Sequence, residues 1–263
     1  MNQITSVSHQ TRYPDFCKYA TSNAYIYSRF KTFSEYQQIL EHVNKEQGQM
    51  YYDFCKEHYS ENLDKLPLCS INDKQGSPQT QDYSFGKWSP STLRYFKVAL
   101  DINHCFGDTK DMNILEIGGG YGGQCVVYDS MFDFKSWTMI DLPQAVELEK
   151  KYVAGIETQS DIRFIPCNDI KEDDNEYDLV ISNYSFSEVI RQYQDAYIDN
   201  FMSNEEKIYM TVGALPSPLY EIYETMYKKD ELINHLNLSA CDEIPNTHPE
   251  NIIVLRGHQR ELP

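Results

Sequence analysis

Residues 114–124 read Ile-Leu-Glu-Ile-Gly-Gly-Gly-Tyr-Gly-Gly-Gln, and five of the six residues from Gly118 to Gly123 are glycine. Glycine adopts positive φ without strain and, lacking Cβ, lets a ligand approach the backbone N–H groups closely. The run follows an apolar stretch, which predicts a strand-to-helix turn at the edge where open α/β sheets bind ligands. Gly118, Gly120 and Gly123 satisfy the G-x-G-x-x-G spacing of dinucleotide sites. Asp141, 23 residues after Gly118, ends the next apolar run. A carboxylate there can accept both hydroxyls of a ribose, and it also suits a helix N-cap ahead of Leu142-Pro143. Nicotinamide and adenosyl cofactors both present a ribose, so Asp141 does not choose between them. Glu116, two residues before the first glycine, does. It would repel a pyrophosphate and suits a ligand with a positively charged amino-acid end. The glycine run also lies more than a hundred residues into the chain, whereas dinucleotide folds often open on their first strand. Both features favour S-adenosylmethionine over NAD.

These residues need a scaffold, and the chain pattern supplies one. Short apolar runs occur at 113–118, 137–141, 162–167, 177–183, 207–213 and 251–257, with one more strand expected over 238–244. Helical stretches are expected between them at 122–133, 142–153, 186–202 and 218–236. This alternation predicts a largely parallel sheet with helices on both faces. Upstream, Tyr36, Ile39, Leu40, Val43, Met50, Tyr51 and Phe54 recur at helical spacing over 33–61, with Gly48 as a break between two helices. Residues 66–90, with Pro67, Gly76, Pro78, Gly86 and Pro90 among polar residues, predict a loop. SPSTLRYFKVAL then starts a helix, with Ser89 as N-cap and Pro90 as first residue. The expected organisation is a helical N-terminal extension or substrate cap over 1–88 and a cofactor-binding domain over 89–263.

ILEIGGGYGGQ (114–124), IDLP (140–143) and YDLVISNYSFSE (177–188) resemble the class I S-adenosylmethionine-dependent methyltransferases. With SPSTLRYF (89–96) and THPENIIVLRG (247–257), the ordered set is similar to the sugar O-methyltransferases among them. The resemblance spans about residues 83–257. It implies a Rossmann-like α/β sheet of seven strands with the last one antiparallel. It implies S-adenosyl-L-methionine as cofactor, S-adenosyl-L-homocysteine as product, and a sugar hydroxyl as acceptor in glycan biosynthesis. It also implies roles for residues. Glu116 and the backbone of Gly118, Gly119 and Gly120 hold the methionine end; Asp141 takes the ribose; Leu142 packs on the adenine. Asn168 or Asp169 binds the adenine amino group, and Asn183 and Tyr184 line the methyl-transfer side. The family often has a Gly-Asp pair where this chain has Cys167-Asn168-Asp169, so either residue can fill that role.

Methyl transfer is an in-line displacement, accelerated by alignment of the reacting atoms. A sugar hydroxyl is a weak acid, so a general base or a metal helps. His248 is the first candidate base: it lies in the loop Asn246-Thr247-His248-Pro249 before the last strand, and imidazole titrates near neutrality. Glu188, after the fourth strand, is the second; a first-turn glutamate facing the helix dipole is its plain alternative. Arg94 can hold the phosphate of a nucleotide-linked or phosphorylated sugar through two parallel hydrogen bonds. The acidic run Asp169, Glu172, Asp173, Asp174 and Glu176 offers oxygen ligands, but it lacks the spacing of a calcium loop and no metal site is expected. The rival functions are a methyltransferase acting on a phosphorylated non-sugar metabolite, an NAD-dependent oxidoreductase, and a non-catalytic binding module of the same fold.

Composition narrows the partners. The 263 residues carry 23 Lys+Arg and 40 Asp+Glu, a net of −17. Residues 1–112 carry 12 basic and 13 acidic side chains, and residues 113–263 carry 11 and 27, so the acidity belongs to the second part. That field repels polyphosphate and anionic lipid, which excludes sequence-independent nucleic-acid binding and membrane attachment. No stretch approaches the ~20 apolar residues of a membrane span, and MNQITSVSHQ has no basic cluster ahead of an apolar run. Seven cysteines without a C-x-x-C pair fit reduced thiols in the cytoplasm. The expected partner is a small molecule, and a homo-oligomer is compatible with the sequence.

Overall fold

The computed structural model describes residues 6, 8, 11–158, 160–170, 173, 175–202, 207–213 and 226–263. The N-terminal part contains α1 (Tyr13–Ser22), α2 (Ala24–Tyr27), α3 (Ser34–Gln37) and α4 (Lys45–His58). A 3-10 stretch over Ser60–Asp73 and a hairpin of β1 (Gln81–Tyr83) and β2 (Gly86–Trp88) follow. The helical pattern over 33–61 breaks before Gly48, not at it. Asn44 accepts from the Gln47 N–H while the Gln47 side chain accepts from the Asn44 N–H, so this reciprocal cap starts α4 there. Gly48 lies inside α4, against the Tyr83 hydroxyl. Residues 66–90 are likewise more ordered than the expected loop, because i→i+3 turns and a three-residue hairpin leave no long period in the sequence.

Then come α5 (Pro90–Phe106), β3 (Asn113–Ile117), α6 (Gly123–Asp129), β4 (Ser136–Asp141), α7 (Pro143–Ala154), β5 (Asp161–Pro166) and β6 (Leu179–Asn183). They are followed by α8 (Arg191–Phe201), β7 (Lys207–Val212), α9 (Lys229–Leu236), β8 (Ser239–Asp242) and β9 (Ile252–Arg256). Residues 186–190 of the expected fourth helix form a 3-10 turn and an extended link instead. The start of the expected helix 218–236 lies outside the described residues, as do Glu172 and Asp174 of the acidic run.

The seven-stranded sheet has the order β5-β4-β3-β6-β7-β9-β8. β3 to β7 run parallel, and β9 is antiparallel between β7 and β8. This is the Rossmann-like sheet with a reversed last strand that the motifs imply. β3, β4, β6 and β7 are buried almost throughout, as expected of parallel strands covered on both faces, while the edges β5 and β8 are more exposed. The order reverses between β3 and β6, which makes that junction the sheet's switch point.

The N-terminal part packs directly on this scaffold, α1 against α7 and α4 against α5. Phe30 joins the two: its ring lies 4.9 Å from Tyr36, 5.6 Å from Tyr121 and 6.1 Å from Tyr152, centroid to centroid. Asp101 of α5, fully buried, accepts from Lys97 Nζ at 2.6 Å and from the Tyr59 and Tyr209 hydroxyls, both at 2.8 Å. This buried pair is satisfied by hydrogen bonds on both carboxylate oxygens. Among the described residues no helix is long and apolar enough to cross a membrane.

Candidate functional site

The glycine turn sits at the switch point. Gly118, Gly120 and Gly122 adopt φ of +83°, +67° and +89°, conformations that side chains strain to reach. Gly118 has a second constraint, since a Cβ there would overlap the side chain of Ser185, just beyond β6. A Cβ on Gly120 would fall 2.8 Å from Leu40 of the N-terminal part. Asp141, at the end of β4, turns its carboxylate onto this loop: Oδ2 accepts from the Gly120 N–H at 2.9 Å and Oδ1 from the Leu142 N–H at 2.7 Å. Leu142, not Asp141, occupies the N-cap of α7. Burial pushes the Asp141 carboxyl up to about 6, against the two N–H groups that favour its charge.

Above the turn lies a cavity of about 500 Å³. Of the residues nominated from sequence, Gly118, Gly120, Asp141, Asn183, Tyr184, Glu188, Arg94 and His248 all line it. The cavity has two ends of different character. One opens into a small cleft lined by Gly118, Asp141, Leu142, Cys167 and Glu188. Burial lifts the Glu188 carboxyl to about 7. The other end adjoins a recess lined by Arg94, Tyr51, Tyr95, Asn183, Tyr184 and Glu243. The cleft and the recess share no lining residue.

Five nominated residues stand outside the cavity; Leu142 borders the cleft alone, and the other four line neither. Glu116 is 2% exposed, and its Oε2 accepts from the Trp137 indole N–H at 3.0 Å. The pleat of β3 turns it into the interior, where burial raises its carboxyl to about 8. Gly119 faces Glu149 and Met139 behind the loop. Asn168 and Asp169 are exposed and line none of this space; Cys167, one residue earlier, borders the cleft. Among the described residues, no group of three or more metal-binding side chains is present.

His248 lies exposed at the cavity wall, and its Nδ1 accepts from the Glu250 N–H at 3.2 Å. A neutral imidazole that accepts at Nδ1 carries its proton on Nε2, so that nitrogen is a donor. Tyr184 is in a strained backbone conformation, φ +67°, at the end of β6. Its hydroxyl donates to Glu243, which also accepts from the Thr247 N–H (3.2 Å), Thr247 Oγ1 (2.7 Å) and Asn251 Nδ2 (2.9 Å). Glu243 thus ties the His248 loop to Tyr184. Neither Glu243 nor Tyr51 carries a sequence signal: one sits in a weak strand pattern and the other on an apolar helical stripe. The N-terminal residues Ser8, Thr11, Tyr13 and Leu40 also line the cavity.

No family model matches the chain, and no curated protein matches it. Solved structures give partial matches to the chain. Protein 1320 of Thermoplasma acidophilum is 19% identical over 73% of this chain and 95% of its own, with a TM-score of 0.45. A geranyl diphosphate methyltransferase in complex with GPP and sinefungin is 13% identical over 64% and 80%, TM-score 0.47. The pyocyanin biosynthetic protein PhzM is 9% identical over 64% and 55%, TM-score 0.44.

Proposed function

We propose that the protein is an S-adenosylmethionine-dependent O-methyltransferase that methylates a hydroxyl of a sugar in glycan biosynthesis. The observation that carries this is the two-ended cavity at the switch point, with the glycine turn, Asp141 and Glu188 toward one end and Arg94 at the other. The acidic end fits a ligand with a net positive charge, and the half-buried Asp141 carboxylate has acceptor capacity left for ribose hydroxyls. The reversed β9 supports the same reading over a dinucleotide enzyme, whose doubly wound sheet has the order 3-2-1-4-5-6. The sugar class rests on the ordered motif set in the sequence.

Bound there, S-adenosylmethionine would supply an electrophilic methyl group on sulfur. Gly118 and Gly120 border the space for its amino-acid end, Asp141 takes the ribose, and Leu142 borders the cleft that would take the adenine. Glu116, buried on Trp137, has no contact with the ligand in this arrangement. Of the two base candidates Glu188 is the better suited: its carboxyl, lifted to about 7, can take the hydroxyl proton near neutral pH. His248 instead presents Nε2–H, which can orient an acceptor oxygen.

Calorimetry should show binding of S-adenosylhomocysteine and none of NADH, and Asp141→Ala should lose that binding. Unchanged affinity in Asp141→Ala would remove the site from this reading. Binding without turnover on any sugar acceptor would favour the non-catalytic module.

A further inference from the structure

We infer that the acceptor enters as a small molecule with one anionic group, a single phosphoryl or carboxylate seated on Arg94, and not as a nucleoside diphosphate sugar. This rests on the methyltransferase reading for which end is the acceptor's, but the anion site stands on its own geometry.

Arg94 is only 8% exposed, on the second turn of α5. Among the described residues no carboxylate lies within ion-pair distance of it. The one hydrogen bond its side chain makes to the backbone is long, Nη2 to the Leu40 carbonyl at 3.4 Å. An interior cation without an ion-pair partner is costly, and a ligand anion lowers that cost. The buried Glu41 carboxyl acts on Arg94 only through space; burial raises it, and Lys31 is its stronger cationic partner. The rings around it hold the guanidinium without neutralising it: Tyr95 and Tyr184 lie 5.4 and 5.7 Å from its carbon.

The nearby charges are already committed. Glu243, the acid closest in the recess, is occupied by donors from Tyr184, Thr247 and Asn251. Lys97, which also borders the recess, is paired with Asp101 at 2.6 Å. Arg94 is therefore the one Lys or Arg among the described residues lining the main cavity, and Asp141 and Glu188 oppose it there. One guanidinium matches one oxyanion through two parallel hydrogen bonds. A diphosphate would bring a second charged group into a space with no second free cation and two carboxyl groups. The polarity also orders the two ligands, with the cationic cofactor at the acidic end and the anion at the arginine end.

The test is calorimetry on the full chain, with and without saturating S-adenosylhomocysteine, using glucose 1-phosphate, glucuronate and UDP-glucose as probes. At least one of the two probes with a single anionic group should bind, and UDP-glucose should bind no more tightly than it. The phosphate and carboxylate arms tell which oxyanion is preferred. Arg94→Gln should weaken binding of that probe by about thirtyfold or more. Arg94→Lys, which keeps the charge and loses the fork, should weaken it by less. The wild-type ranking decides the question even if Arg94→Gln does not fold. No binding of either probe with a single anionic group, binding indifferent to Arg94→Gln in a folded variant, or tighter binding of UDP-glucose would each overturn the inference. Failure of S-adenosylhomocysteine to bind would sink the methyltransferase reading alone, because the anion titrations are read on the ligand-free protein as well.

Discussion

Glu243 shows what a single buried side chain does here. Its carboxylate accepts from three residues, Tyr184, Thr247 and Asn251, and so fixes the strained Tyr184 and the loop that carries His248. Glu243→Ala leaves these donors without an acceptor in a buried setting, and should destabilise the protein by about 3 kcal/mol or more. Glu243→Gln keeps the shape and one acceptor oxygen, and should cost about half as much. Urea unfolding of the two variants measures both; equal and negligible losses would mean that the network carries no stability. This residue was invisible in the sequence because its partner Tyr184 is 59 positions away, and no local pattern encodes that pairing. Arg94 and Asp141 were legible because their neighbours mark them, one near the start of a helix after Ser-Pro and the other at the end of an apolar run. Glu116 was legible as a position but not as an orientation, since the pleat of β3 decides which way it points.

At the scale of elements, the strands and helices after residue 113 follow from their apolar runs because the parallel sheet buries each strand on both faces. The segment Ser60–Asp73 did not, because a 3-10 stretch containing Pro67 has neither period 2 nor period 3.6. The turn between β3 and α6 is the element on which the site depends most, and its glycines are not equivalent. Gly118→Ala places a Cβ on Ser185 at φ +83°, which costs about 1–3 kcal/mol in conformation alone. It should also abolish S-adenosylhomocysteine binding by displacing the end of β6. Gly119→Ala meets Glu149 Oε1 and Met139 Sδ and Cγ, 2.6, 2.8 and 3.0 Å away, and has no positive φ. It disturbs the packing of those two buried side chains but adds no backbone strain, so its loss of melting temperature and affinity should be smaller. A Gly119→Ala variant as damaged as Gly118→Ala would mean that the loop tolerates no added volume anywhere, and that φ is not the deciding constraint.

For the whole molecule, the acidity of the second part is not all surface charge. Glu116, Asp141 and Glu188 are held above their ordinary range by burial, to about 8, 6 and 7, and burial raises Glu149 well above it, with neither of its carboxylate oxygens hydrogen-bonded. The folded state therefore keeps protons that the unfolded chain releases above about pH 4. The stabilisation is complete below that pH and is lost as pH rises through 6, 7 and 8, because the folded state binds more protons than the unfolded one across this window. The growing net negative charge acts in the same direction. The melting temperature of the ligand-free protein should accordingly fall from pH 5 to pH 8, with Glu116 alone contributing on the order of a few kcal/mol. Glu116→Gln, which cannot ionise and still offers Trp137 an acceptor, should flatten the fall. Thermal unfolding followed at each pH decides it: a melting temperature that is constant or rises toward pH 8 would place these carboxyls in contact with water, and would open the packed space behind the glycine turn that positions Gly119 and Asp141.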